Sequence, residues 1–156
     1  MTAPFATAQF ITTRRVEFAD TDMAGIIHFT SYFRYMEVTE HAFFRSLGFS
    51  IVGDPAVGWP RVHVACEFKH PLRFEEEVEA HLRVREKKEK ALTYDCIFRR
   101  VNPEPVVEVA HGALTVVCVT RDESGKMRAA LIPDHIAGRI EVAPVGSGEG
   151  GGRPGR

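Results

Sequence analysis

The stretch that most limits how this chain can fold is TSYFRYMEVTEHAFFRSLGF, residues 30–49. It predicts one long helix. Thr30 or Ser31 fits the N-cap, and Gly48 fits the C-terminal stop. Its apolar positions are Tyr32, Phe33, Tyr35, Met36, Val38, Ala42, Phe43, Phe44 and Leu47. They spread well beyond the stripe of about 100° that a surface helix buries. Arg34, His41 and Arg45 mark a narrow polar side. A helix this apolar has to be wrapped by something else in the fold.

The rest of the chain supplies strands to do that. Residues 8–18 read as a first strand, followed by a loop over 19–29. Residues 50–60 (SIVGDPAVGWP) are a Gly- and Pro-rich loop, after which the apolar period becomes two. Val62, Val64, Cys66 and Phe68 alternate with Arg61, His63, Glu67 and Lys69, predicting a half-buried strand. Val78, Ala80, Leu82 and Val84 predict the next, with REKKEK as a charged hairpin connection. Leu92, Tyr94, Cys96 and Phe98 follow, then residues 106–120, apolar on both faces and so expected to be central. MRAALIP predicts a last short strand, and Pro133 to about Ile140 a short helix. The chain thus reads as strand, long helix and four meandering strands. One curved antiparallel sheet wrapped around one central helix is the economical α+β solution, known as the hotdog fold. A single such unit leaves a sheet edge and a helix flank open, so dimers are expected.

Composition narrows the function classes. At 156 residues the chain is expected to form one domain over 1–143, with a disordered Gly-rich tail over 144–156. The net charge of −1 lacks the basic excess usual for a nucleic-acid binder. No apolar run nears the roughly 20 residues of a membrane helix. MTAPFATAQFITTRR has no basic region ahead of an apolar stretch, so it is a poor secretory signal. Cys66, Cys96 and Cys118 form no CxxC and are read as reduced core thiols of a cytoplasmic protein. The 7 histidines are scattered without HxxxH or HExxH, so no metal site is expected.

Chemistry concentrates in FADTDMAGIIHFTSY, residues 18–32. Asp22 lies between a strand and a helix start, beside Gly25. A helix N-terminus presents unpaired N–H groups that can stabilise an oxyanion. A carboxylate just upstream can attack a carbonyl carbon or activate a water that does. Spacing alone favours a second reading, in which Asp20 and Asp22 merely form the loop. Asp20 suits that role, accepting backbone hydrogen bonds as Asx turns do.

FADTDMAGIIHFTSYFRYMEVTEHAFFRSLG closely resembles the N-terminal signature of the 4-hydroxybenzoyl-CoA thioesterase family of hotdog proteins. The matching positions are Asp20, Asp22, Gly25, Ile26–Ile27, His28–Phe29, Tyr32, Tyr35 and Glu37, and FKHPLRFEEEV resembles the family's turn after the second strand. The resemblance spans about residues 8–140. It implies an acyl-CoA thioesterase, a homodimer that pairs into a dimer of dimers, and coenzyme A as part of the substrate with no separate cofactor. Asp22 matches the catalytic carboxylate, nucleophile or general base. Phe29 matches the residue whose backbone N–H binds the thioester oxygen. Glu37 matches an acidic residue facing the acyl pocket, though it can equally pair with Arg34 and His41 on the polar stripe. Lys88, Lys90 and Arg128 match basic residues that meet coenzyme A phosphates, and REKKEK is also simply a solvated hairpin tip. Many relatives carry Tyr-His where this chain has His28–Phe29, so His28 shapes the acyl pocket or packs. The competing function is a hotdog protein that binds acyl-CoA or acyl-carrier-protein thioesters without hydrolysing them.

Overall fold

A computed structural model describes residues 7–145. The expected tail therefore falls almost entirely outside the described residues, although Arg83 Nη2 donates to the Pro144 carbonyl at 2.9 Å. The elements are β1 (Gln9–Arg15), α1 (Phe29–Ser46), β2 (Arg61–Phe68), β3 (Glu77–Lys87), β4 (Ala91–Asn102), β5 (Val107–Val117), β6 (Val119–Arg121), β7 (Met127–Ala129) and α2 (Asp134–Ala137). A 3-10 turn at Phe18–Asp20 sits between β1 and α1.

β1 to β5 form one antiparallel sheet in the order β1-β3-β4-β5-β2. The curved sheet against a long helix is the expected hotdog arrangement. Three details differ from expectation. Only β3, β4 and β5 meander; β2 pairs with β5 at the opposite edge from β1. The longest strands with apolar inner faces take the interior, and β2, with Arg61, His63 and Glu67, tolerates an edge. The segment 106–120 divides, β5 ending at Val117 and β6 pairing with β7 in a separate two-stranded ribbon. The final helix is shorter than expected, spanning Asp134–Ala137.

The inner face of the sheet carries Val78, Ala80, Leu82, Val84, Leu92, Tyr94, Cys96, Phe98, Ala110 and Leu114, all buried. Against it α1 buries Tyr32, Tyr35, Met36, Phe43 and Phe44. Each such side chain contributes roughly 1.5–3 kcal/mol by leaving water. Gly112 lets the helix lie close, because a Cβ there would sit 2.5 Å from Met36 Sδ. The helix is not wrapped all round within one chain. Arg34, Glu37 and Arg45 are exposed, and Phe33 and Val38 are only half-buried. β2 is likewise not half-buried: Val62 is 61 % exposed and Phe68 53 %. Among the described residues no second layer covers that edge. Cys66, on the same strand, is half-buried rather than a core thiol, while Cys96 and Cys118 are buried and all three are free.

The helix ends as expected. Gly48 takes φ +87°, donating to Arg45 O, and Phe49 N–H reaches back to Phe44 O at 3.0 Å. That is the Schellman closure. Its start differs by two or three residues: the N-cap is His28, whose Nδ1 accepts from Thr30 N–H at 3.3 Å and meets Thr30 Oγ1 at 2.7 Å. Thr30 and Ser31 are already helical. Among the described residues no helix is long and apolar enough to cross a membrane, and no group of three or more His, Cys, Asp or Glu side chains is placed to hold a metal ion.

Candidate active site at the start of the long helix

Residues 18–28 carry the chain from β1 into α1, and Asp20 fixes this passage. It is 5 % exposed. Its Oδ2 accepts from Tyr35 Oη at 2.7 Å and from Glu17 N–H at 2.9 Å. Its Oδ1 lies 3.5 Å from Arg34 Nη2. Its carbonyl accepts from His28 N–H at 2.7 Å and Ser31 Oγ at 2.9 Å. One residue thus ties loop to helix from both its side chain and its backbone. Burial, and then the hydrogen bond to Asp20, hold the Tyr35 hydroxyl well above its usual range, so it stays a donor. The loop-holding role read from the sequence for Asp20 is what the structure shows.

Asp22 has a different setting. It is exposed, at the head of a tight bend closed by Gly25 N–H to Asp22 O at 3.0 Å. Gly25 takes φ +76°, a conformation that favours glycine. Asp22 Oδ1 accepts from Ala24 N–H at 2.8 Å, and Asp22 N–H donates to Ile26 O at 2.9 Å. The bend docks on the segment after β2 through Ile27 N–H to Leu72 O at 2.7 Å and an antiparallel bridge between Ile26 and Arg73.

Between these two segments opens a mainly apolar cleft of about 330 Å³. Asp22, Ile26, Ile27, Phe29 and Tyr32 form one wall, and Phe68, Lys69, His70 and Pro71 the other. Phe29 is the first helical residue, so its N–H has no intrahelical acceptor; none of the described residues supplies one. Tyr32 is buried, packing at 5.6 Å on Phe68 and 5.0 Å on Phe98. The His28 ring stacks on Phe29 at 4.7 Å. A carboxylate and an unengaged backbone donor at a helix start therefore share one apolar cleft. A larger hollow of about 420 Å³ lies between residues 55–60 and β6–β7, but Arg121 is the sole charged residue among those lining it. Chemistry, not size, selects the Asp22 cleft.

Other expected residues lie elsewhere. Glu37 does not line the cleft; it sits 3.9 Å from His41 Nε2 and 4.0 Å from Arg61 Nη2. Lys88 and Lys90 are at the β3–β4 hairpin tip, where Lys88 Nζ is 3.4 Å from Glu86. Arg128 is in β7, paired with Asp122 at 2.9 Å. Glu89 O accepts from Ile132 N–H, which brings the hairpin beside the strand after β7. These basic residues share one end of the molecule, and it is the far end. Along β4, Ala91 next to the hairpin is roughly 23 Å from Phe98 beneath Tyr32, at about 3.3 Å per residue.

Two groups that sequence reasoning did not single out are prominent. Lys69 and His70 line the cleft; FKHP at the end of a strand was the available signal. Glu40 is fully buried on α1, held by Arg61 at 3.2 Å, with Oε1 unpaired among the described residues. Burial pushes its carboxyl up to about 7, Arg61 opposing and Glu37 adding to the shift. Folded Glu40 therefore keeps its proton to higher pH than unfolded Glu40, and its contribution to stability is lost as pH rises through about 7. The full swing is on the order of 3 kcal/mol. Glu40→Gln should melt close to wild type near pH 4 and clearly higher at pH 8. A constant difference across that range in thermal melts would contradict the assignment.

Comparison with known proteins agrees with the fold. A family model described as Thioesterase-like superfamily matches residues 16–140. A curated Aquifex aeolicus (strain VF5) protein named "Putative esterase" is 38 % identical over 90 residues, 56 % of this chain and 70 % of that one. The solved structure of a gentisyl-coenzyme A thioesterase is 29 % identical with a TM-score of 0.71, covering 82 % of this chain and 99 % of the other. The 4-hydroxybenzoyl-CoA thioesterase of Pseudomonas sp. strain CBS-3 shares the fold, with a TM-score of 0.75 at 22 % identity over 84 % of this chain and 99 % of the other. The chain, with its sheet-wrapped helix and its match across residues 16–140, belongs to the Thioesterase-like superfamily.

Proposed function

We propose that the protein is an acyl-CoA thioesterase, hydrolysing a short-chain or aromatic acyl-CoA to the free acid and coenzyme A. The observation that carries this reading is the pairing of Asp22 with the unengaged Phe29 N–H in one apolar cleft. The carbonyl oxygen accepts from Phe29 N–H, reinforced by the positive end of α1. Asp22 then attacks the carbonyl carbon or removes a proton from the attacking water. Ile26, Ile27, Tyr32 and Phe68 exclude water from the acyl group. About 330 Å³ is at the small end for ligand cavities, which favours a compact acyl group. The reaction as drawn consumes only water and needs no metal or redox cofactor. A coenzyme A ester as substrate fits the expected cytoplasmic location.

A homodimer, and pairing of dimers, are part of the same reading. The exposed β2 edge with Val62, Val64 and Phe68 needs a cover, and the cleft opens beside it. Lys88, Lys90 and Arg128 then act on coenzyme A phosphates across subunits, since within one chain they lie at the far end of the sheet. Replacing Lys88 and Lys90 together by Ala should raise KM for acyl-CoA several-fold with kcat little changed. A KM equal to wild type at low salt would remove these residues from the site.

The direct test is thiol release by the purified protein across short, long and aromatic acyl-CoAs. Turnover identifies the acyl class. No turnover on any of them, with measurable affinity for the same esters, would leave a thioester-binding protein instead.

A further inference from the structure

Two ionisable side chains in the cleft stand uncommitted. Asp22 uses Oδ1 on Ala24 N–H, leaving Oδ2 without a partner among the described residues. On the other wall, the His70 side chain forms no hydrogen bond or ion pair among the described residues. The neighbouring Lys69 is already neutralised by Glu108 at 2.6 Å. The remaining ionisable group in the cleft is Tyr32, whose hydroxyl burial holds well above its usual range, with Cys66 and Glu76 adding. It keeps its proton and is a weak acid, poorly matched to transfer it to a departing thiolate.

His70 is also held in place. Lys69 and His70 N–H groups both donate to Val109 O, at 2.8 and 3.2 Å, extending the grip of β5 past the end of β2. Pro71 follows and fixes the next φ. Leu72 O then receives Ile27 N–H from the bend that bears Asp22. Short backbone hydrogen bonds thus connect the segments carrying the two side chains. Asp22 and His70 thus line one cleft from its two walls.

We propose that His70 is the proton donor to the departing sulfur. The assignment rests on the thioesterase reading. On the general-base route, Asp22 takes one proton from water as the new C–O bond forms. The C–S bond then breaks, its electron pair going to sulfur, and the His70 imidazolium gives its proton to that sulfur. Coenzyme A leaves as a neutral thiol. The proton on Asp22 returns through solvent to His70, so one thioester and one water give one acid and one thiol. If Asp22 attacks as nucleophile, the same transfer accompanies C–S cleavage, and water later opens the anhydride. Protonating the leaving group matters most when the thiol is weakly acidic, as the alkyl thiol of coenzyme A is.

The test compares His70→Gln with wild type on two esters of the best acid found. One is its coenzyme A ester; the other is an aryl thioester, whose more acidic thiol leaves without help. The expected result is a kcat/KM about tenfold or more lower on the coenzyme A ester. On the aryl thioester the variant should stay within about twofold of wild type. An equal loss on both esters, or no loss on either, overturns the proposal. Absence of turnover by wild type on every acyl-CoA overturns the thioesterase reading beneath it.

Discussion

Asp22→Asn is expected to lower kcat for acyl-CoA hydrolysis by about 10²- to 10⁴-fold while leaving the fold intact. The asparagine carbonyl can still accept from Ala24 N–H, and the bend through Gly25 is built from backbone hydrogen bonds. What disappears is the negative charge proposed as base or nucleophile. Because Asp22 is exposed, the exchange should shift stability by no more than about 0.5 kcal/mol. KM should change little, since the cleft walls and the Phe29 N–H remain. Steady-state thiol release and a thermal melt on the same preparation check both halves. Turnover near the wild-type rate would remove Asp22 from the chemistry. Single-turnover hydrolysis in isotopically labelled water separates the two routes: label found in the Asp22 carboxyl marks the nucleophilic one.

Asp20→Ala, two residues away, should do nearly the reverse. Its buried carboxylate accepts from Tyr35 Oη and Glu17 N–H and lies beside Arg34. Hydrogen bonds to a charged group contribute about 1.5–3 kcal/mol each, and the variant leaves a buried Tyr35 hydroxyl unpaired. A loss of roughly 3–5 kcal/mol follows, which for a domain of this size lowers the melting temperature by about 10 °C or more. That is a large part of the 5–15 kcal/mol that holds typical domains together. Tyr35→Phe removes one of the same bonds and should cost less. Chemical denaturation of the three proteins checks the ranking. An Asp20→Ala protein as stable as wild type would mean that the loop is held by other contacts.

The contrast between these aspartates shows how much was legible in the residues. DxD ahead of a Gly and a long apolar helix marked the segment of the candidate site, and Gly48 was legible as the helix stop that takes positive φ. Burial separates the two carboxylates, and burial comes from neighbours distant in sequence. Tyr35 reaches Asp20 from the second turn of α1, whereas Asp22 stays exposed. The helix start moved to Phe29 because His28 accepts from Thr30, a cap that residue preferences rank low.

The sequence by itself determined the element types, the alternation that buries one face of β3 and β4, and the segment holding the proposed base and oxyanion donor. These are local properties: period, turn chemistry and helix ends act over a few residues. The tertiary structure alone decided that β2 crosses to the far edge beside β5, which carries Lys69 and His70 to the cleft. It also sank Glu40 into the core, turned Glu37 toward Arg61, and set Lys88, Lys90 and Arg128 at the other end of the sheet. Strand order has no local signature, because an antiparallel strand with one apolar face satisfies its hydrogen bonds beside any suitable neighbour.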